Sequence, residues 1–94
     1  MNQGPKYYEM HITLRPQYKE EAEQVAQKFN FKTSQIAGDQ ILGDDAFLYI
    51  TGKDVSLVDM MIRMEKSTEE LLGLDVPIIR RKIEHVIFDE RRTP

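Results

Sequence analysis

Residues 7–14, YYEMHITL, alternate over eight positions. Tyr8, Met10, Ile12 and Leu14 project one way, and Tyr7, Glu9, His11 and Thr13 the other. A side-chain period of two belongs to a strand buried on one face only. The apolar side needs a cover, and the polar side, with its histidine and threonine, is left for other uses.

The rest of the chain supplies the cover. Pro16 suits the first turn of a helix, where its missing N–H costs nothing. Tyr18, Ala22, Val25, Ala26 and Phe29 then form an apolar stripe on a helix over 16–28. Glu20, Glu21 and Glu23 near its start suit the helix dipole. Residues 30–36 read as a short second strand and 46–51 as a third, which Gly52 ends. Asp54 or Ser56 caps a second helix. Its expected buried stripe is Leu57, Val58, Met61, Ile62, Met64, Leu71 and Leu72, and Gly73 is its C-terminal stop. Met60, Met61 and Met64 read as core filler and its flank. Residues 77–88 read as a fourth strand.

The order βαββαβ predicts an α+β, ferredoxin-like sandwich: a four-stranded antiparallel sheet with two helices on one face. The first and third strands are central, and the fourth lies beside the first. Residues 1–94 form one domain with an ordered core over about 6–89 and loose tails at 1–5 and 90–94. The 94 residues are 40% hydrophobic and 31% charged, as in a globular chain. A net charge of −3 disfavours nonspecific attraction to nucleic acid or anionic lipid. With no cysteine there is neither a disulfide framework nor a thiolate metal cage. Neither a signal-peptide core nor a membrane-length apolar run is evident, so a cytoplasmic protein is expected.

This topology leaves one sheet face without helices. It carries Tyr7, Glu9, His11 and Thr13 from the first strand, and Phe47, Tyr49 and Thr51 from the third. If Ile79, Ile83 and Ile87 take the buried side of the fourth strand, Arg80, Lys82 and Glu84 join the open face and His85 falls on the helix side. An exposed patch with three aromatic rings wants a partner, either a second subunit or a ligand.

The stretch Met10-His11-Ile12-Thr13-Leu14 resembles one half of the two-histidine phosphoesterases, whose lobes are also ferredoxin-like. In that family each lobe contributes a His-x-Thr strand; one histidine acts as base, the other as acid, and the hydroxyls hold phosphate oxygens. The resemblance implies catalytic roles for His11 and Thr13. Residues two apart on a strand share a face about 7 Å apart, close enough to grip one phosphate. The chain departs from the pattern at its other histidine, where Glu84-His85-Val86-Ile87 places isoleucine in the hydroxyl position. A homodimer with apposed sheets would pair His11 with its symmetry mate.

Residues 46–51, AFLYIT, are similar to the third strand of RNA-recognition motifs, which have the same element order and stack bases on aromatics. Tyr7, Phe47 and Tyr49 occupy suitable positions, with Arg80 and Lys82 for phosphates. Gly43-Asp44-Asp45 is acidic where that family is basic, and single-stranded nucleic acid is the less favoured partner. The 38–45 loop, with three carboxylates and two glycines, lacks the spacing of a calcium loop and reads as a plain connection.

Across residues 7–91 the chain resembles a family of small uncharacterised bacterial and phage proteins. The resemblance rests on Tyr7-Tyr8-Glu9-Met10-His11-Ile12-Thr13, on Gly38-Asp39 with Leu42-Gly43, and on Arg81-Lys82-Ile83-Glu84 followed by Asp89 and Arg91. It transfers no catalytic role but marks Glu9, His11, Lys82 and Glu84 on adjacent strands, where cross-strand neighbours lie about 5 Å apart.

The expected function is a small binding or interaction module that self-associates as a homodimer through its open sheet face. The alternatives are a phosphoester- or nucleotide-processing enzyme using His11 and Thr13, and a single-stranded nucleic-acid binder. Catalytic candidates are His11 and Thr13. Ligand-binding candidates are Tyr7, Glu9, Phe47, Tyr49, Arg80, Lys82 and Glu84. No cofactor, metal or membrane is expected, and a small phosphate-bearing ligand is the alternative partner.

Overall fold

The computed structural model describes residues 6–36 and 47–87. Their elements are β1 (Tyr7–Leu14), a 3₁₀ turn (Pro16–Tyr18), α1 (Lys19–Phe29), β2 (Lys32–Ile36), β3 (Phe47–Asp54), α2 (Leu57–Gly73) and β4 (Arg80–Val86). The strands make one antiparallel sheet in the order β2-β3-β1-β4. This is the α+β, ferredoxin-like layout that the alternation and element order predict. The 38–45 loop, the tails at 1–5 and 90–94, and the end of the expected core at 88–89 lie outside the described residues.

Met10, Ile12 and Leu14 of β1 and Leu48 and Ile50 of β3 meet Ala22, Val25 and Ala26 of α1 and Met60, Met64 and Leu71 of α2. Each fully buried aliphatic side chain here contributes roughly 2 kcal/mol over leaving it in water. Among the described residues no helix is long and apolar enough to cross a membrane.

Both helices end in the same hydrogen-bond pattern, and neither uses glycine for it. Asn30 takes the left-handed conformation at φ 59°. Its N–H reaches the Gln27 carbonyl, and the Phe31 N–H reaches Ala26 at 2.7 Å. Asp75 does the same after α2 at φ 60°, with Asp75 N–H on Leu72 and Val76 N–H on Leu71. This is the Schellman arrangement. Each time it turns an apolar residue, Phe31 or Val76, back into the core. The expected stop at Gly73 is therefore corrected, because Gly73 is the last helical residue and Asp75 supplies the left-handed turn. The second strand starts at Lys32, not at 30, because Asn30 and Phe31 belong to the helix ending.

Gly52 does not end β3. The strand runs on to Asp54 because Met10, Glu9 and Tyr8 pair with Gly52, Lys53 and Asp54. What Gly52 provides is room: a Cβ there would lie 2.3 Å from Phe31 Cε1. Arg63 also lies over that ring, its guanidinium carbon 4.7 Å from the centroid. Arg63 donates to the Phe29 carbonyl at 2.6 Å, the Lys53 carbonyl at 3.1 Å and Asp54 Oδ2 at 3.2 Å. One side chain of α2 thus fastens the end of α1 to the end of β3. Ser56 caps α2 by accepting from the Asp59 N–H, and the Ser56 N–H donates to Asp54.

The expected stripe of α2 is corrected. Leu57, Val58, Met61, Ile62 and Leu72 are exposed, and the inward face is Met60, Met64, Ser67, Thr68 and Leu71. Ser67 and Thr68 can lie inside because both hydroxyls donate to the Met64 carbonyl, at 2.9 and 2.7 Å. Of the three isoleucines expected to turn inward on the fourth strand, Ile83 packs against the core and Ile79 and Ile87 are exposed; Ile78, ahead of the strand, packs inward instead of Ile79. Among the described residues, regular pairing there covers 80–86 and leaves out 77–79.

Two substitutions test this assembly. Gly52→Ala is expected to cost about 1–3 kcal/mol, because the Phe31 ring has to move out of a packed site. Arg63→Ala is expected to cost about 2 kcal/mol through three lost hydrogen bonds. Urea unfolding reads both, and a midpoint within error of the parent protein in either case would contradict the assignment.

Candidate functional site

Strand register places the open-face residues in rungs across the sheet. One rung is Lys53, Glu9 and Glu84; the next is Lys32, Thr51, His11 and Lys82; the third is Ser34, Tyr49, Thr13 and Arg80. Rungs along β1 are about 7 Å apart. All nine residues singled out in the sequence come from the strands of this sheet, and the register aligns Glu9, His11, Thr13, Tyr49, Arg80, Lys82 and Glu84 directly. Phe47 continues the β3 series beyond Tyr49, and Tyr7 continues the β1 series beyond Glu9. His85 falls on the helix side as expected, stacked on Tyr8 with centroids 4.5 Å apart. The basic block splits: Arg81 turns to α2, donating to Glu65 and Thr68.

A concavity of ≈ 430 Å³ lies over the second and third rungs, lined by His11, Thr13, Ser34, Phe47, Tyr49, Thr51, Ile79, Arg80 and Lys82. This is within the range of small-ligand sites. Six of the nine candidates line it. Tyr7, Glu9 and Glu84 do not; Phe47 does, at the β3 wall. The ring of Tyr7 is covered by Lys53, whose ammonium is 5.1 Å from the centroid, so that face is not open for stacking. Thr51, Ser34 and Ile79 are the lining residues that were not singled out. Thr51 could have been found by parity, since it sits on the face already assigned to its strand. Ile79 could not, because it precedes regular pairing; its N–H donates to the Thr13 carbonyl at 2.9 Å.

His11 is held on both ring nitrogens. Nε2 is 2.9 Å from Glu9 Oε1 and Nδ1 is 3.2 Å from Thr51 Oγ1. An ionised carboxylate only accepts, so Nε2 carries a proton and donates to Glu9. In the neutral ring Nδ1 then accepts the Thr51 hydroxyl proton. The arrangement orders carboxylate, imidazole and hydroxyl in one chain, with Thr51 among the residues that line the concavity.

The first rung places Glu9 and Glu84 opposite each other, a like-charge pair that is unfavourable by itself. Cations offset it. Lys82 is 2.6 Å from Glu84 and Lys53 is 3.9 Å from Glu9, with His11 also on Glu9. The Lys82 hydrogen bond and charge hold the Glu84 carboxyl below the usual range, with His11 and Arg80 adding smaller contributions. The Asp54 carboxyl is also lowered, first by the Ser56 N–H and then by Arg63. Arg80 makes no hydrogen bond or ion pair among the described residues. No group of three or more His, Asp or Glu side chains among the described residues is placed to hold a metal.

A carboxyl lowered by folding stabilises the fold fully above its unfolded value, and that contribution disappears as pH falls through the folded value. The urea midpoint should therefore decline as pH falls below about 5, where the unfolded chain begins to take up protons that the folded carboxyls resist. Lys82→Met should move the Glu84 titration, followed by carboxyl NMR, up towards the ordinary glutamate value and shrink its share of the decline. An unmoved Glu84 titration in that variant would contradict the pairing.

No protein-family model matches the chain, and no curated protein matches it. Among solved structures, the chain is similar to CPII bound to ADP and bicarbonate, from Thiomonas intermedia K12. The TM-score is 0.53 at 13% identity, over 88% of this chain and 90% of that one. The likeness is one of fold.

Proposed function

We propose that the chain is a small binding module whose open sheet face takes a phosphate-bearing ligand of nucleotide size. The observation that carries this reading is the composition of the concavity. Arg80 and Lys82 stand on the β4 side, the hydroxyls of Thr13, Thr51 and Ser34 lie across the floor, and Phe47 and Tyr49 come from β3. Two inter-strand spacings separate β4 from β3, about 10 Å. That span suits an anion at one wall and a flat apolar group at the other. Arg80 suits the anion because its planar donors match phosphate oxygens and, among the described residues, have no ion-pair partner to release. A protein of the same fold has been solved with ADP bound, which points the same way.

The site supports binding more directly than turnover. A general acid or base needs a ring nitrogen within reach of the ligand, and both nitrogens of His11 are engaged by Glu9 and Thr51. Self-association through the open face is the competing use of Phe47 and Tyr49, and it would bury Arg80 and Lys82 against a second copy.

Thermal shift across mono-, di- and cyclic nucleotides is the first test. Ligand at about 100 times its Kd should stabilise the fold by about 2.7 kcal/mol. Arg80→Ala should weaken the best ligand about tenfold or more through a lost charge-assisted hydrogen bond. The absence of any shift across the panel would sink the reading. Light scattering on the same samples would identify a dimer seam if mass doubles through this face and Arg80→Glu restores the monomer.

A further inference from the structure

We propose that Thr51 is an anion-contacting hydroxyl of the concavity, and that protonation of His11 turns its proton towards the ligand, so that binding a tetrahedral anion takes up one proton. This rests on the anion-binding reading of the same face and adds a residue and a linkage to it. Thr51 lines the concavity and its Oγ1 is 3.2 Å from His11 Nδ1.

The argument is one of hydrogen-bond polarity. Glu9 fixes the proton on Nε2, so only Nδ1 is left to gain or lose one. With Nδ1 bare, the Thr51 hydroxyl spends its single proton on the ring. Its lone pairs then face the concavity and repel an anion. With Nδ1 protonated, the ring donates to Oγ1, and the hydroxyl proton is free to rotate and donate outward. The same event puts a positive charge beside Lys82. An anion therefore favours the doubly protonated ring twice, through charge and through a donor that exists only in that state. Thermodynamic linkage makes the relation reciprocal: the anion draws a proton onto His11, and acid strengthens the anion's binding.

The surrounding charges are those of the open face. Glu9 from β1 and Glu84 from β4 favour the cationic ring. Lys82 and Arg80 from β4, Lys53 from β3 and Lys32 from β2 oppose it. Tyr7 and Tyr49 share the face, while α1 and α2 pack on the opposite one. Histidine is the side chain that changes charge between about pH 5 and 8, and the other histidine, His85, lies on the helix side against Tyr8.

Sulfate is the probe, because it stays a dianion throughout that range. Its affinity for the parent protein should rise about tenfold from about pH 8 to about pH 6, with proton uptake seen by calorimetry in buffers of different ionisation enthalpy. Ring-nitrogen NMR should show sulfate converting His11 from the singly to the doubly protonated form, a readout that needs no variant. Thr51→Val should weaken sulfate about tenfold near pH 6 and less than twofold near pH 8. His11→Gln should flatten the pH dependence, and His85→Gln should leave it unchanged. Sulfate binding that ignores pH, or a Thr51→Val loss equal at both pH values, overturns this inference and leaves the binding module intact. Failure of sulfate to bind at any pH overturns the anion site and the inference together.

Discussion

The contact of the Phe31 ring with the bare backbone of Gly52 leaves no room for a side chain and sets how the elements meet. A left-handed Asn30 turns Phe31 inward, Gly52 leaves room for its ring, and Arg63 lies over that ring. Three separate stretches of sequence meet there. The contact fixes where α1 ends relative to β3, and through Arg63 it fixes α2 relative to both. None of the three residues lies on the open face, yet the position of β3 that they set decides where Thr51 and Lys53 stand beside β1.

β1 divides the labour of the fold. Met10, Ile12 and Leu14 are fully buried against the helices, so the strand cannot slip by one residue without exposing its whole apolar set. The same rigidity holds Glu9, His11 and Thr13 in place on the reverse side. β3 and β4 flank it and are pinned by the same logic through Leu48, Ile50 and Ile83. A site built on the middle of a packed sheet is more sharply positioned than one carried on loops. The 2.9 Å and 3.2 Å contacts of the His11 ring reflect that.

Much of this architecture was legible because β1 obeys one period without exception. Once its two faces are separated, pairing carries the parity to β3 and β4, and the open face follows residue by residue, His85 excepted from it correctly. α2 was misread for a physical reason. It has two apolar faces, and the one that lies inside contains Ser67 and Thr68, which composition marks as surface residues. Their hydroxyls are satisfied by the Met64 carbonyl, a local bond that no pattern of hydrophobicity reveals. Gly73 and Gly52 were misplaced by the habit of reading glycine as punctuation. Asp75 supplies the left-handed turn instead of the first, and the second serves as clearance inside a strand. Ile79 looked like a core residue because it shares the spacing of Ile83, but the ladder begins only at Arg80.

The two carboxylates facing each other across β1 and β4 have a directional consequence. At one end of the bare face Glu9 and Glu84 are matched by Lys53 and Lys82, while at the other, two rungs away, Arg80 has no ion-pair partner among the described residues. The trough therefore has a potential gradient along its length as well as across it. An elongated molecule with one anionic end is drawn to the Arg80 end and not to the compensated one, so the sheet favours a single heading for its guest before close contact forms.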